Sequence, residues 1–456
     1  MDSIGRHEAT CGSCQKIVLP LSATNLQFRH VITSFLHSDL GILLLRRSGK
    51  VGTYQGRWAG VSGYLEPSED PLQRANIEIR EELGISAAQV SLVRSGEVLR
   101  DFDEENDTVW IVHPFLFEMH EQNIRLDWEH TEYEWVNPDD LRLYETIPKL
   151  REALERVRWD PQATSSGLSI LESSVNEIAR DRVHGASYLG RKSIEILAHV
   201  ARVSTASSTA ELFRDLLSFV LKLRRAQPSM ATIRNLTGKV LKEVDEARTN
   251  PRPVDQFREN VRAIAEKVQA DAVDGAEDAS RTSVGLLPED GRVLTHSYSG
   301  TVKRALELAA KSKHRLTVYV TESIPGLEGR QLANDLIKLG IPVKLIADFA
   351  VGAVIADIDL LLVGADSVLA DGSVVNKIGT STIAKAANER GIPCFVACEE
   401  AKFSTQHFLG EPVEVSQTLF DVTPTKRISA IVTEEGPIEP VQVEKTIRKM
   451  LSQLYP

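Results

Sequence analysis

Between Gly63 and Ile85 the chain reads Gly63-Tyr-Leu-Glu-Pro-Ser-Glu69, seven further residues, then Ile77-Glu78-Ile-Arg-Glu81-Glu82-Leu-Gly84-Ile85. This stretch allows few structures. Pro71 suits a first helical turn and Gly84 the residue just past a last one, so the spacing predicts a helix over 71–83 behind a glycine-rich loop. Glu78 and Glu82 are four apart and share a face, with Glu81 at its edge. Like charges at that spacing cost roughly 0.2–0.5 kcal/mol per pair, so folding alone gives no reason for them. A divalent cation removes the repulsion, and Mg²⁺ is the usual guest of carboxylates that meet phosphates. The expected site is therefore Mg²⁺ (or Mn²⁺) held by Glu78, Glu82 and Glu81, with Glu69 from the loop. Glu78 and Glu81 are the candidate catalytic groups.

The flanks extend this reading. Gly41–Leu45 is a strand, and Val90–Leu99, Thr108–Glu118 and Tyr133–Val136 are strand-like. A helix over 147–157 ends the unit. The loop from Gly49 to Gly63 carries Trp58. With Gly63, Arg46 and Arg47, it is a candidate substrate contact. Glu97 and Glu129 are further candidates for a general base.

Residues 159–168 are polar and turn-rich, which marks a linker. From 169 to 280 the apolar residues recur at helical spacing. From Gly291 onward, short apolar runs (293–295, 316–320, 343–346, 360–363, 394–397) alternate with amphipathic helices. That alternation predicts a parallel sheet covered on both faces. The expected organisation is a tail over 1–24, an N-terminal α/β unit over 25–158, a linker over 159–168, a helical unit over 169–280 and a Rossmann-like ligand-binding unit over 281–456. At 456 residues the chain is long enough for two or three domains.

Composition excludes several classes. The net charge of −11 disfavours general nucleic-acid binding. No apolar run is long enough for a bilayer and the start has no signal-peptide pattern, so a cytoplasmic protein is expected. Cys11-Gly-Ser-Cys14 is half of a zinc knuckle and reads as two reduced thiols in a tail. Cys394 and Cys398 read as strand core.

The predicted strand ends carry a second constellation. Thr295-His296-Ser297-Tyr298-Ser299-Gly300 follows one strand and Thr321-Glu322-Ser323 the next. Asp348 and Gly364-Ala-Asp366 follow two more, and Asn376-Lys377-Ile-Gly-Thr-Ser381 comes later. Hydroxyls, glycines and amides at helix starts suit phosphate. Lys377 adds positive charge, and Asp366 is a candidate proton acceptor. His296, Ser299, Gly300, Glu322, Asn376 and Lys377 are the expected ligand contacts.

Two resemblances follow. The spacing from Gly63 to Ile85 resembles the Nudix box, which implies an α/β/α sandwich and Mg²⁺-dependent hydrolysis of nucleoside diphosphates linked to another moiety. The family has Arg before the first helix glutamate, where this chain has Ile77. Arg80 could supply a substitute charge from a different position. The motifs Thr-His-Ser-Tyr-Ser, Val-Thr-Glu-Ser, Gly-Leu-Glu-Gly-Arg330, Gly-Ala-Asp-Ser-Val and Asn-Lys-Ile-Gly-Thr resemble the translation initiation factor 2B alpha/beta/delta superfamily. That superfamily also holds methylthioribose-1-phosphate and ribose-1,5-bisphosphate isomerases. The likeness runs over roughly 170–440 and includes Val183-His-Gly-Ala186. It implies a helical bundle leading into a Rossmann-like domain.

The isomerases use a Cys and an Asp. Asp366 keeps the Asp position, and Ser297 stands where the Cys would be, so these two are the candidate catalytic residues there. Two family arginines are Ile324 and Gln227 here. The resemblances together imply a nucleoside diphosphate-type substrate, a sugar phosphate or nucleoside monophosphate ligand, and a homo-oligomer. They leave open a non-enzymatic regulator with an initiation factor partner, and a bifunctional hydrolase–isomerase. The amphipathic tail Val443–Leu454 is expected to pack on its own or a partner chain.

Overall fold

The computed structural model describes residues 16–19, 26–120, 123–158, 168–181, 184–250 and 252–456. Cys11, Cys14, Val183 and all of the expected linker except Leu168 lie outside them.

The N-terminal unit is a mixed eight-stranded sheet whose centre is the parallel pair Gln27–Ser38 and Thr108–Met119. In strand Gly41–Arg47, Leu43 and Leu45 face one side while Ile42 and Leu44 face the other, as a period of two requires. Helix Pro71–Leu83 covers the first face through Ala75, Ile79 and Leu83. Helix Leu150–Arg158 covers the second through Leu150, Ala153, Leu154 and Val157. The result is the expected α/β/α sandwich.

Two details differ from the sequence expectation. The run 90–99 is two strands, Val90–Ser95 and Leu99–Asp103, broken near Gly96. A Cβ on Gly96 would come within 2.9 Å of the Pro114 and Val157 side chains, so the chain passes there only without one. The glycine-rich loop also contains two short strands, Trp58–Ala59 and Val61–Tyr64.

Helices Ser169–Arg180, Ala186–Val203, Thr209–Ala226, Ala231–Ala247 and Val254–Val284 follow. They share a core that includes Leu197, Val200, Phe213, Leu217, Phe257 and Val261.

The C-terminal sheet has seven strands in the order Val343–Ile346, Arg315–Thr321, Asp290–Thr295, Leu360–Val363, Cys394–Ala397, Ala430–Thr433, Gly436–Ile438. All neighbours are parallel except the last pair. The order reverses at Asp290–Thr295 beside Leu360–Val363, a topological switch point where open sheets of this kind bind ligands. Cys394 and Cys398 are buried, as their apolar setting predicts. The sequence pattern did not announce a small antiparallel sheet of Ser367–Val368, Val374–Lys377 and Phe420–Thr423.

The units are joined by a continuous seam. Leu26, Val109 and Ile111 share a core with Phe408, Leu409, Val443 and Ile447. Phe102 meets Phe408 edge to face at 5.1 Å, and the Arg448 guanidinium lies over both rings while pairing with Asp107 at 2.6 Å. The tail helix, Val443–Leu451, therefore packs on its own chain. Farther along, Tyr455 is buried against Phe213. Lys16–Leu19 pairs antiparallel with Val413–Ser416. Among the described residues no helix is long and apolar enough to cross a membrane.

Candidate functional sites

In the N-terminal unit, Asp70 caps helix Pro71–Leu83 by accepting from the Gln73 N–H, and Gly84 ends it in the left-handed conformation (φ 68°). Glu78 and Glu82 point inward from this helix and are 7% and 3% exposed, so the predicted face is a buried one. Gly63 lies directly against Glu78. A Cβ there would sit 1.7 Å from the Glu78 Oε1, so the loop glycine makes room for the carboxylate.

Glu82 Oε1 accepts from the Ser62 N–H at 3.1 Å, and Glu82 Oε2 is buried with no hydrogen-bond partner. His130 Nε2 lies 3.6 Å from that oxygen. His130 Nδ1 lies 3.2 Å from Asp127 Oδ1. Burial pushes the His130 ring down, against the pull of Asp127. A carboxylate only accepts, so Nδ1 carries a hydrogen and Nε2 faces Glu82 Oε2. The ring nitrogen thus faces the one Glu82 oxygen that no neighbour bonds. Burial pushes the Glu82 carboxyl well up, reinforced by the charges of Glu78, Asp127 and Glu129. Burial raises Glu78 and Glu129 as well.

These donors fit a hard divalent cation: they are oxygen-rich, crowded with negative charge, and leave one oxygen orphaned. Among the described residues no three His, Cys, Asp or Glu groups converge as a ready metal cage. The reason is visible in the partners, since Glu78 is turned toward Arg74 and Glu82 toward Ser62. Glu81 is half exposed, 3.8 Å from Arg74. Glu69 Oε2 accepts from the Glu66 N–H and closes the turn before the helix.

The other expected residues divide clearly. Glu129 belongs to the cluster, and the Arg47 charge reaches it. Glu97 does not: it pairs with Arg156 and Arg225 at the seam. Trp58 packs edge to face on Tyr144, in the core on the sheet face opposite the glutamate helix. Arg46 is held by Glu132 at 2.7 Å. Arg80 is exposed, and Arg74 instead bonds Glu78. Sequence reasoning missed Arg74, Asp127 and His130. Only Arg74 left a signal, four residues before Glu78.

In the C-terminal unit a cavity of about 1180 Å³ opens at the switch point, between the helical bundle and the strand ends. Ser297, Ser299, Gly300, Asp366, Asn376 and Lys377 all line it. Ser297 has φ 65°, and its N–H donates to Ser323 Oγ at 2.7 Å. Ser299 caps helix Gly300–Lys311. Gly364 lets that cap approach, since a Cβ would meet Ser299 Oγ at 2.6 Å. Burial pushes the Asp366 carboxyl up, against the charges of Lys402 and Lys377 and the Ala186 N–H. Lys377 forms a buried ion pair with Glu328, and Lys402 pairs with Glu399 at 3.1 Å. Asn376 Nδ2 donates to Thr380 Oγ1 at 3.2 Å.

Two expected contacts lie elsewhere. His296 is buried with both ring nitrogens engaged, Nε2 donating to the Ile378 carbonyl at 2.8 Å and Nδ1 accepting from Thr321 Oγ1 at 2.6 Å. Glu322 holds Arg330 away from the cavity. Two of the amide clusters proposed for phosphate already hold carboxylates. Asp421 accepts from Gly379 and Ser381, and Asp348 from Ser323 and Ile324. Gln227 also lines the cavity, with its Nε2 donating to the Ile178 and Asp181 carbonyls.

Known proteins resemble both units. The model of the initiation factor 2 subunit family matches residues 182–417, and the NUDIX domain model matches residues 28–157. A putative translation initiation factor eIF-2B subunit 2-like protein of Pyrococcus horikoshii is 31% identical over 277 residues, covering 58% of this chain and 95% of that protein. A ribose 1,5-bisphosphate isomerase of Haloterrigena turkmenica is 29% identical over 311 residues, covering 62% and 94%. The crystal structure of the Pyrococcus horikoshii OT3 translation initiation factor eIF-2B aligns with a TM-score of 0.52 at 28% identity, covering 60% of this chain and 98% of that one.

Proposed function

Because the chain belongs to the initiation factor 2 subunit family and carries a NUDIX domain ahead of that match, we propose a two-site protein. Its N-terminal unit is a Mg²⁺- or Mn²⁺-dependent hydrolase of a nucleoside diphosphate-linked substrate. Its C-terminal unit binds a sugar phosphate or a nucleoside monophosphate. The observation that carries the first half is the buried, unpartnered Glu82 Oε2 in a nest of carboxylates. A bound divalent cation supplies charge neutralisation on the diphosphate and acidifies water. Glu78, Glu82 and the exposed Glu81 would hold it. Glu129, whose carboxyl is raised by burial and by Asp127, is suited to take a proton from water at its carboxylate oxygen. Asp127 and His130 fix the floor beneath Glu82.

For the second half, Lys377 and Asn376 border the ligand at the strand ends. Arg191 also lines the cavity, with no ion-pair or hydrogen-bond partner among the described residues, and is the cation left for an anionic group. Ser297 favours binding over isomerisation, because a hydroxyl stays protonated where a tuned thiol would titrate. The same substitution favours the regulatory reading with an initiation factor partner for this unit. The two halves connect chemically, since cleaving a nucleoside diphosphate sugar releases a sugar phosphate. The sheet edge at Val343–Ile346, with Leu345 at 46% and nearby Phe349 at 91% exposure, is the proposed homo-oligomer surface.

A Mg²⁺-dependent screen of nucleoside diphosphate compounds on the full chain, comparing wild type with Glu82→Gln, tests the hydrolase. Turnover lost in the variant supports it; equal turnover by both proteins sinks it.

A further inference from the structure

The glutamate helix has Ile77 where its family has an orienting arginine, yet its first glutamate is oriented. Arg74 Nε donates to Glu78 Oε1 at 2.9 Å, and a second guanidinium nitrogen contacts the same oxygen. The guanidinium also lies 3.8 Å from Glu81 Oε2, and its charge reaches Glu69. One side chain therefore faces three of the four glutamates of the motif.

Local helix physics opposes this placement. Arg74 falls near the N-terminus of helix Pro71–Leu83, where the helix dipole disfavours a cation. The N-cap Asp70 answers part of that dipole, and the first turn proper carries no acidic residue. The order Arg then Glu, four apart, is also the weaker orientation for a helical ion pair. A residue that breaks local rules at a cluster of buried carboxylates points to the cluster's function. Gly63 lies against the same carboxylate, and a Cβ there would clash with Glu78 as it is placed. The carboxylate is thus pinned between a glycine and a guanidinium. Oε1 is engaged by Arg74, which leaves Oε2 for a cation. Ile77 is only half-buried, and Arg80 is exposed, so neither position supplies this contact.

We propose that Arg74 is the positioning residue of this site: the orienting charge has moved three residues back along the helix, from 77 to 74, and reaches Glu78 across one turn. This rests on the hydrolase reading of the N-terminal unit. It predicts that the requirement is for a guanidinium at either position rather than at one fixed place.

The test uses the full chain and Mn²⁺ alone as probe, with affinity read by electron paramagnetic resonance and turnover read separately. Arg74→Ala is expected to lose about tenfold or more in Mn²⁺ affinity, the range seen when a group that orients a metal ligand is removed. Arg74→Lys, which keeps the charge and loses the fork, is expected to recover only part. The swap Arg74→Ala with Ile77→Arg is expected to restore affinity, and Arg80→Ala to leave it unchanged. Thermal melts of each variant separate misfolding from loss of orientation, and the swap reads the role even if Arg74→Ala alone is poorly folded. Unchanged affinity in Arg74→Ala, no recovery in the swap, or no Mn²⁺ binding by wild type overturns the proposal. Wild type that binds Mn²⁺ but hydrolyses nothing overturns the hydrolase reading instead, and the affinity series still decides Arg74.

Discussion

The two sites handle charge in opposite ways. At the glutamate helix, Glu78, Glu82, Glu129 and Asp127 crowd one region, Arg74 answers part of that charge, and a carboxylate oxygen is left unpartnered. In the C-terminal cavity, Lys377 holds Glu328, Lys402 holds Glu399 and Arg304 holds Glu277. The first site carries unanswered negative charge, which under the proposed function a divalent cation would answer. The second is largely balanced by its own side chains, so the sugar phosphate or nucleoside monophosphate proposed for it would be recognised by shape, hydrogen bonds and the few cations left over. One chain thus contains a site defined by what it lacks beside one defined by what it has already paired.

The sharpest way to break this contrast is Glu82→Gln. It should lower hydrolysis by about 100-fold or more, since losing even a supporting group of a metal ligand costs roughly 10–100-fold. Sugar phosphate binding, measured by calorimetry on the same full-length protein, should not change. If both fall together, the two sites are not separate.

The converse variant removes a balanced pair, Lys377→Met with Glu328→Gln. Taking both charges avoids leaving one buried and alone, which would cost roughly 3–5 kcal/mol. Ligand affinity in the cavity should fall about tenfold, or ~1.4 kcal/mol, with hydrolysis intact. Unaltered affinity would mean that the pair is purely structural.

Gly63→Ala places a Cβ against the Glu78 carboxylate. A loss of about 1–3 kcal/mol in urea unfolding is expected from overpacking, together with weaker Mn²⁺ binding. A stable variant with full metal affinity would show that Glu78 has room the structure does not indicate.

The last case concerns a carboxylate outside both sites. Glu434, half-buried beside the bundle, is pushed up to about 7 by burial, against the N–H groups that bond it. Its folded value lies above the unfolded one of about 4.3, so the stabilisation is fully present below that value and disappears as pH rises through 7. Glu434→Gln should therefore gain stability relative to wild type between pH 5 and pH 8 in paired thermal melts. A difference that does not vary with pH would remove Glu434 as the titrating group.

The sequence revealed most where a residue type has only one use. The helix 71–83 was legible to its ends because proline, glycine and an apolar stripe all act locally. The strand-end residues Ser297, Ser299, Asp366, Asn376 and Lys377 converge because a parallel sheet gathers its loops at one end, and the alternation of runs and helices implies that sheet. Residues whose role depends on distant partners were not legible. Glu97 and Glu129 look alike in sequence, yet one meets Arg156 and Arg225 across the seam while the charge of the other reaches Glu82. Trp58 and Arg46 flank a glycine-rich loop, but packing on Tyr144 and pairing with Glu132 already occupy them. His296 sits in a phosphate-like motif, and only the fold shows that Thr321 and Ile378 take both its nitrogens. Arg74 could have been suspected from its spacing to Glu78, had the motif's usual position not drawn attention to Ile77 and Arg80.

Lys16 pairs with Ser416, so the first described strand and a strand from the last unit complete each other. A ribosome adding roughly 5–20 residues per second would make the early strand wait some tens of seconds for its partner. Until then its unpaired edge is open to other chains. Closure of this ribbon is a late step in folding, and it comes after the core of the N-terminal sheet can already form. Cutting the protein between its units would leave Val413–Ser416 with the same exposed edge, so either half expressed alone should be the more aggregation-prone form.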